Sequence, residues 1–467
     1  MSVLLGLDVG TTAVKAVAYQ FGAAIVADAE AGYPMLAPRP GEQIQDPDVV
    51  LAAVDQVLAE VARQLAPQGT SPSGPVPGHT LAGLSVSTAM HALIGLDRDG
   101  VPLTPVITWA DTRSQAQADR LRAQGLAASL LERTGTPVHP LSPLTKAMWF
   151  SEQAQTPSVS YWVGLKDLVL AHLTGQLVTE RSSASATGMY NLREGAWDQQ
   201  ALELADMSLA QLPPVHPTTA TLPLTRDIPG LPQGLPVVLG ATDGPLANLG
   251  VGAVRAGLVG LSLGTSGAVR MVVPQPTAHP SLFCYNLTDD AWLIGAAVSN
   301  GGVVLDWLAR LVSADVPTLL AEAAQVVPQE LGVRMVADLL SERPPAPAGT
   351  GAALTGLRLA DTRGDVARAA VNGVVAKLAA IVTILDTIEP VTQVRATGGA
   401  LRSPVWLAEL SRVLRWPVHR FSAAGGSALG AVALGAYALG LVSNLDQAAD
   451  VIGPHALGSA TSGSPNA

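Results

Sequence analysis

Cysteine is almost absent from this chain of 467 residues: Cys284 stands alone. One thiol excludes a disulfide framework and any zinc centre built on several cysteines. Charge is thin as well, at 14% of residues with a net charge of −10. That acidic balance argues against a broad electrostatic footprint for nucleic acid. The 48% of hydrophobic residues sets the chain apart from disordered sequences and suffices for sizeable cores. Lysine occurs only at positions 15, 146, 166 and 377, with arginine supplying the other basic side chains. This bias, the excess of Gly, Ala and Pro, and an aromatic content of 4% are read as genome composition. Scarcity still makes each lysine easy to single out.

Several motifs are missing too. There is no Gly-x-x-x-x-Gly-Lys-(Ser/Thr) loop and no Gly-x-Gly-x-x-Gly fingerprint, so a nucleotide site here is neither a P-loop nor a dinucleotide fold. The start, Met1-Ser2-Val3-Leu4-Leu5, meets Asp8 before an apolar signal region forms, and no signal peptide is expected. Residues 423–442 carry no charge and are nominally long enough to cross a bilayer. They are mostly Ala and Gly, whose burial gains little, so a packed helix of a soluble, cytoplasmic protein is expected, with no membrane partner.

What is present suggests two to three domains of mixed strands and helices. Residues 3–9 read as a strand, Gly10-Thr11-Thr12 as a tight turn and residues 14–19 as a second strand. Val49, Val50, Ala53, Val54, Val57, Leu58 and Val61 fall at helical spacing over residues 47–65. A Pro/Gly/Ser stretch over residues 66–79 reads as a surface loop, and strands recur at 81–87 and 93–96. Gly6-Leu7-Asp8-Val9-Gly10-Thr11-Thr12 is repeated as Gly260-Leu261-Ser262-Leu263-Gly264-Thr265-Ser266, with Lys15 and Arg270 closing the two segments. Two matched strand–turn units imply two similar halves, with the turns expected to face each other across a cleft. The boundary is placed near residues 244–252, and the tail after Ile452 is expected to fray.

Gly10-Thr11-Thr12 offers backbone N–H groups and hydroxyls, with a cation at Lys15. It reads either as an anion-binding concavity or as an ordinary hairpin turn, and the second copy favours the former. Asp8 is suited to hold Mg²⁺ through water beside a phosphate. In Leu239-Gly240-Ala241-Thr242-Asp243-Gly244, Asp243 reads equally as a base for a hydroxyl or as the cap of a following helix.

Taken as a set, residues 6–15, Trp109-Ala110-Asp111-Thr112-Arg113, Leu173-Thr174-Gly175 with Ser182-Ser183-Ala184-Ser185-Ala186-Thr187-Gly188, residues 240–244, residues 264–267 and Gly398-Gly399-Ala400 resemble the FGGY carbohydrate kinases. The resemblance spans residues 3–440 in the family's order. It implies an α/β chain of two ribonuclease H-like domains, of the actin/hexokinase/Hsp70 superfamily, flanking a central cleft that binds ATP. Domains are expected at 1–246 and 247–442, with a tail at 443–467. Within the family, Ser87-Thr88-Ala89-Met90-His91-Ala92-Leu93, the run from Gly135 to Lys146 and Phe283-Cys284-Tyr285 are most similar to the gluconate-phosphorylating group. Xylulokinases share the Met-His pair but fit Thr136-Pro137-Val138-His139-Pro140 less well.

By position, the resemblance makes Asp243 the catalytic base and Met90, His91, Trp109, Asp111 and Arg113 the sugar site. Gly10, Thr11, Thr12, Lys15, Gly264, Thr265, Gly302, Asp306, Gly399 and Ser403 match nucleotide positions, and Asp8 the metal position. Lys146, with Arg113 second, is the candidate cation for a substrate carboxylate; the alternative is a surface lysine. The expected reaction is ATP with the C6 hydroxyl of gluconate, or with xylulose or another polyol, on Mg²⁺; a homodimer is a family-level expectation. Residues 332–362 and the loop Ser422-Ala423-Ala424-Gly425-Gly426-Ser427 depart from the family pattern, which leaves the adenine site open. An inactive sugar-binding protein is disfavoured by the presence of Asp243. A chaperone-type ATPase or a sugar-sensing regulator would need an appended domain that the sequence does not display.

Overall fold

The computed structural model describes all residues except 1, 22–23, 67–69, 72–73, 76–79, 154–157, 327–331, 341–350, 422–425, 453–455 and 461–467. Most of the Pro/Gly/Ser stretch at 66–79, and the family departures at 341–350 and 422–425, therefore lie outside the described residues. The chain divides into two compact units: Met1–Gly252 with Pro274–Leu293 and Gly425–Gly453, and Ala253–Val273 with Ile294–Ala424 and Pro454–Ala467.

The first unit is built on β1 (Ser2–Val9), β2 (Ala13–Gln20) and β3 (Ile25–Gly32), a meander whose first turn is Gly10-Thr11-Thr12. Helix α1 (Pro47–Leu65) starts where Asp46 accepts hydrogen bonds from the Asp48 and Val49 amides, with proline at the first helical position. Val50, Ala53, Val54, Val57, Leu58 and Val61 share one face of α1 and bury it, as their spacing predicts, whereas Val49 is exposed. Then come β4 (Thr80–Thr88), α2 (Pro143–Ser151), α3 (Leu165–Thr174), β5 (Thr221–Pro223), β6 (Pro236–Thr242) and α4 (Asp243–Gly250). The sheet runs β5-β6-β4-β1-β2-β3. At its centre β6, β4 and β1 are parallel neighbours. Leu4, Leu5, Leu7 and Val9 are all buried, the near-continuous apolar run that a strand covered on both faces requires.

The second unit repeats this start. β7 (Leu258–Leu263) pairs antiparallel with β8 (Gly267–Val273). β9 (Phe283–Thr288) belongs to the first unit and is followed by β10 (Ala291–Val298). α5 (Val303–Leu311), α6 (Arg363–Ile388), β11 (Gln393–Thr397), α7 (Pro404–Val413) and β12 (Val418–Phe421) complete the unit's main elements. β7 pairs parallel with β11, as β1 does with β4. The two copies differ in the turn. Lys15 lies opposite Asp8, whereas Arg270 lies opposite Gly260 rather than Ser262, so the cations do not close the segments in the same way. Two one-residue offsets add: four residues separate the paired Val9 and Val14, against three between Leu263 and Gly267, and Arg270 lies eight residues after Ser262, against seven from Asp8 to Lys15.

α6 has the length and apolar character of a membrane span, yet Ala370, Val371, Val374, Val375, Leu378 and Val382 bury it in the unit's core. The charge-free run near the end forms α8 (Gly426–Ala438), which returns to the first unit. Its small residues let backbones touch. A Cβ on Gly430 would lie 1.8 Å from the Leu246 carbonyl oxygen of α4, and one on Gly6 2.1 Å from that of Ala428. α9 (Leu445–Val451) packs Ala448 and Ala449, and within the tail expected to fray after Ile452, β13 (Ala456–Ala460) instead pairs antiparallel with β12. An edge strand needs only backbone hydrogen bonds, which a Gly/Ser-rich sequence does not advertise.

Candidate active site

Parallel strands bring their carboxyl ends to one edge of the sheet, where open α/β sheets place ligands. In the first unit Asp8 and Ala241 both pair with Ser87, and Thr242 pairs with Thr88. Asp243 comes next, as the first residue of α4. Thr242, not Asp243, is the N-cap residue, so the aspartate is not used as the cap. Ser87 donates to Asp8 Oδ1 at 2.7 Å. Burial, and then the charge of Asp243, push the Asp8 carboxyl up to about 6. Two carboxylates thus repel each other at the end of the sheet. Among the described residues no group of three His, Cys, Asp or Glu could hold a metal ion. A pair of carboxylates does fit Mg²⁺, which binds through one or two carboxylates, phosphates and water. Asp8 would hold it.

The Gly10-Thr11-Thr12 turn is braced from several sides. Tyr33 donates to the Gly10 carbonyl at 2.5 Å, Gln45 to the Thr11 carbonyl and Trp109 Nε1 to Thr11 Oγ1 at 3.0 Å. Trp109 therefore meets the phosphate turn. Lys15 is half-exposed and pairs with Glu30 at 3.4 Å. Asp111 accepts from the Gln43 amide and from Arg113, and Arg113 also reaches Glu42 at 3.0 Å while stacking 4.6 Å over Trp149.

Segments distant in sequence converge on His91. Its φ is +65°, a left-handed value that costs a non-glycine residue about 1 kcal/mol or more and favours a site held by its surroundings. His91 Nδ1 lies 2.7 Å from the Ala186 carbonyl, which can only accept, so Nδ1 carries the proton and Nε2 accepts from the Tyr285 hydroxyl at 3.2 Å. Lys146 is buried, not on the surface, and donates to the carbonyls of His91 at 2.6 Å and Leu141 at 2.8 Å. Burial lowers its ammonium to about 7. The Cys284 amide donates to the Gly135 carbonyl at 2.8 Å, and Thr136 Oγ1 to that of Ser185 at 2.8 Å. Met90 and His91 line a pocket together with Thr88, Trp162, Lys166 and Asp167.

Lys166 is the feature that sequence reasoning missed. It is 1% exposed and donates to the carbonyls of Val86, Leu239 and Ala241. Nothing at the sequence level marks a lysine whose partners are backbone carbonyls. Gln45 is missed for the same reason, whereas Tyr285 lies in the singled-out Phe283-Cys284-Tyr285 segment and only its contact with His91 is new.

In the second unit the Gly264 and Thr265 carbonyls accept from the amides of Gly302, Gly301 and Val303 at 2.7, 3.1 and 3.2 Å, which ties the second Gly-Thr turn to the start of α5. Thr265 is exposed, and Asp306 is exposed one turn into α5. Gly398 packs on Leu263, where a Cβ would lie 2.2 Å from its carbonyl oxygen, while the space over Gly399 is open. Ser403 caps α7 through the Val405 amide. Among the described residues, buried Thr397 Oγ1 finds no hydrogen-bond partner at the carboxyl end of β11. An orphan hydroxyl beside an open glycine and a Gly-Thr turn fits a nucleotide's polar groups.

The pair of α/β units, with a Gly-Thr turn in each, has the actin/hexokinase-like fold, and the family match makes the chain an ATP-dependent phosphotransferase. Residues 3–250 match the N-terminal and residues 259–439 the C-terminal domain of the FGGY family of carbohydrate kinases. The chain belongs to that family. It is 34% identical to the gluconokinase of Bacillus subtilis (strain 168), over 97% of this chain and 90% of that protein. Solved structures of a gluconate kinase and of a ligand-bound xylulose kinase, both from Lactobacillus acidophilus, are equally similar. Each superposes with a TM-score of 0.91 at 29% identity, over 98% of this chain and 93% of its own.

Proposed function

We propose that the chain transfers the γ-phosphoryl group of ATP to the C6 hydroxyl of gluconate, giving 6-phosphogluconate and ADP. The observation that supports this most is the convergence on His91 of three gluconokinase-like segments, through Lys146, Tyr285 and the Gly135–Cys284 hydrogen bond. The 34% identity to a gluconokinase over nearly the whole chain points the same way.

Asp243 takes the proton of the C6 hydroxyl as its oxygen forms a bond to the γ-phosphorus. The bond from phosphorus to the β–γ bridging oxygen breaks, and its electron pair leaves with ADP. Mg²⁺, when bound, supplies positive charge to the phosphoryl oxygens. Gly10-Thr11-Thr12 and Lys15 on one unit, and Gly264, Thr265, Gly302, Gly399 and Ser403 on the other, serve the nucleotide. Met90, His91, Trp109, Asp111 and Arg113 serve the sugar acid. Lys146 spends two of its three N–H groups on carbonyls, and the third is the donor offered to the substrate carboxylate. ATP as co-substrate points to a cytoplasmic location.

One observation favours a neutral ketose such as xylulose instead. Both candidate cations are already engaged, Arg113 with two carboxylates and Lys146 with two carbonyls. Proton-coupled phosphorus NMR of the product from ATP and gluconate tests the main reading. Transfer to C6 gives a phosphomonoester triplet, from coupling to a CH₂ group. A doublet, or no new ester, contradicts it.

A further inference from the structure

Of the four lysines the proposed reaction leaves Lys166 and Lys377 without a part, and Lys377 forms an ion pair with Asp338. Lys166 is the second residue of α3, and among the described residues no carboxylate forms an ion pair with its ammonium. Its three N–H groups go to Val86 O at 2.5 Å, Ala241 O at 2.8 Å and Leu239 O at 3.1 Å, which uses every donor a protonated amine has. Burying an ammonium costs several kcal/mol, and here the charges of Glu180, Asp167, Asp8 and Asp243, in that order, offset part of that cost.

The three carbonyls share an origin. Val238 pairs with Ser85 and Ala241 with Ser87, so β6 has one residue more than β4 between these pairs. Gly240 absorbs it at φ +76°, in a place where a Cβ would lie 1.8 Å from the Val86 carbonyl oxygen. Such a bulge breaks the ladder and re-aims the residues beyond it. Lys166 gathers the carbonyls around the break. Ala241 lies two residues before Asp243, and Val86 lies one before Ser87, the serine that holds Asp8. A single ammonium thus ties together the two strand ends that carry the paired carboxylates. Its charge acts on both, with Asp8 and Asp243 among the acids that surround it.

We propose that Lys166 is a positioning residue for phosphoryl transfer: by clasping the Gly240 bulge to β4 it fixes Asp243 relative to Asp8 and offsets their combined charge. The proposal rests on the reading of Asp243 as the base. Lys166→Met fills the space without donors, and Lys166→Gln keeps two N–H groups. Val57→Ala, in the α1 core, supplies a destabilised variant remote from the carboxylates. All are assayed with whichever acceptor gives the fastest wild-type turnover, water included, so a wrong choice of sugar does not enter the result. The expected kcat loss is about 100-fold for Lys166→Met, the scale of a small misplacement of a reacting group, and smaller for Lys166→Gln. KM for ATP stays within about threefold in both, and Val57→Ala keeps the wild-type kcat. The proposal is overturned by a folded Lys166→Met variant with near-wild-type kcat, by an equal kcat loss in Val57→Ala, or by failure of both Lys166 variants to fold. If wild-type turnover is fastest on something other than gluconate, the substrate assignment fails instead, and the Lys166 comparison stands.

Discussion

In the proposed reaction, the chemistry falls to a few carboxyl groups at the ends of parallel strands. Burial first, and then the charge of Asp243, push Asp8 up to about 6, while Ser87 and Lys166 oppose that shift. Replacing Asp243 by Asn keeps its shape and removes the base. Turnover should fall by about 10²–10⁴-fold, with ATP affinity by calorimetry within a few-fold of wild type. A loss of ATP affinity matching the loss of turnover would instead give Asp243 a role in nucleotide binding. Asp167 provides a test by pH. Burial raises its carboxyl to about 7, above the ordinary value of 3.8. Below pH ~4 folded and unfolded chains both hold the proton, and the contribution of this group is fully present. As pH rises to 7 the unfolded chain releases the proton while the folded chain keeps it, so stability falls, by at most ~4 kcal/mol. Asp167→Asn removes this slope. Its melting temperature should gain on that of the wild type between pH 4 and 8, and a pH-independent difference would contradict the burial argument. Asp8, Asp243 and His91 are legible in the sequence because short motifs carry them. Lys166 and Gln45 are not, since each acts on a backbone carbonyl that only folding brings near; Tyr285 is carried by a motif, but its partner ring is not.

Elements show which parts of the pattern are local. The first hairpin, α1 and the buried β4 arise from periodicity and turn residues, and they stand where the pattern puts them. The internal repeat correctly identifies β1 and β7 as counterparts, each with one antiparallel and one parallel neighbour. It does not convey that the second turn is a residue shorter, because register is set by the loop and by cross-strand packing. Nor does it convey β13, whose pairing is a matter of backbone alone. The low-charge α8 gains its meaning only from what it touches. Gly430→Ala drives a methyl into the Leu246 carbonyl of α4. About 3 kcal/mol should be lost in urea unfolding, the upper part of the range for overpacking. Because α4 begins at Asp243, kcat should fall as well. Unchanged stability and turnover would mean that α8 and α4 are not in backbone contact.

At the scale of the whole molecule, the chain leaves the first unit after Gly252, returns for Pro274–Leu293 and returns again for Gly425–Gly453. The first return delivers Tyr285 to His91, and the second delivers α8 to α4, so the acceptor side depends on residues far along the sequence. The family membership and the two-unit α/β fold were legible from motifs in order along the chain. The acceptor was less so, because gluconate and xylulose kinases share the Met-His pair and superpose equally on this structure. The most direct measurement is therefore kcat/KM for gluconate, xylulose, glycerol, ribulose and fuculose, monitored by ADP release at saturating ATP and Mg²⁺. Gluconate is predicted to exceed every neutral acceptor, by at least the tenfold that one charged hydrogen bond of about 1.5 kcal/mol supplies. Turnover of xylulose or another neutral acceptor, with gluconate at background, would contradict the assignment and the part given to Lys146.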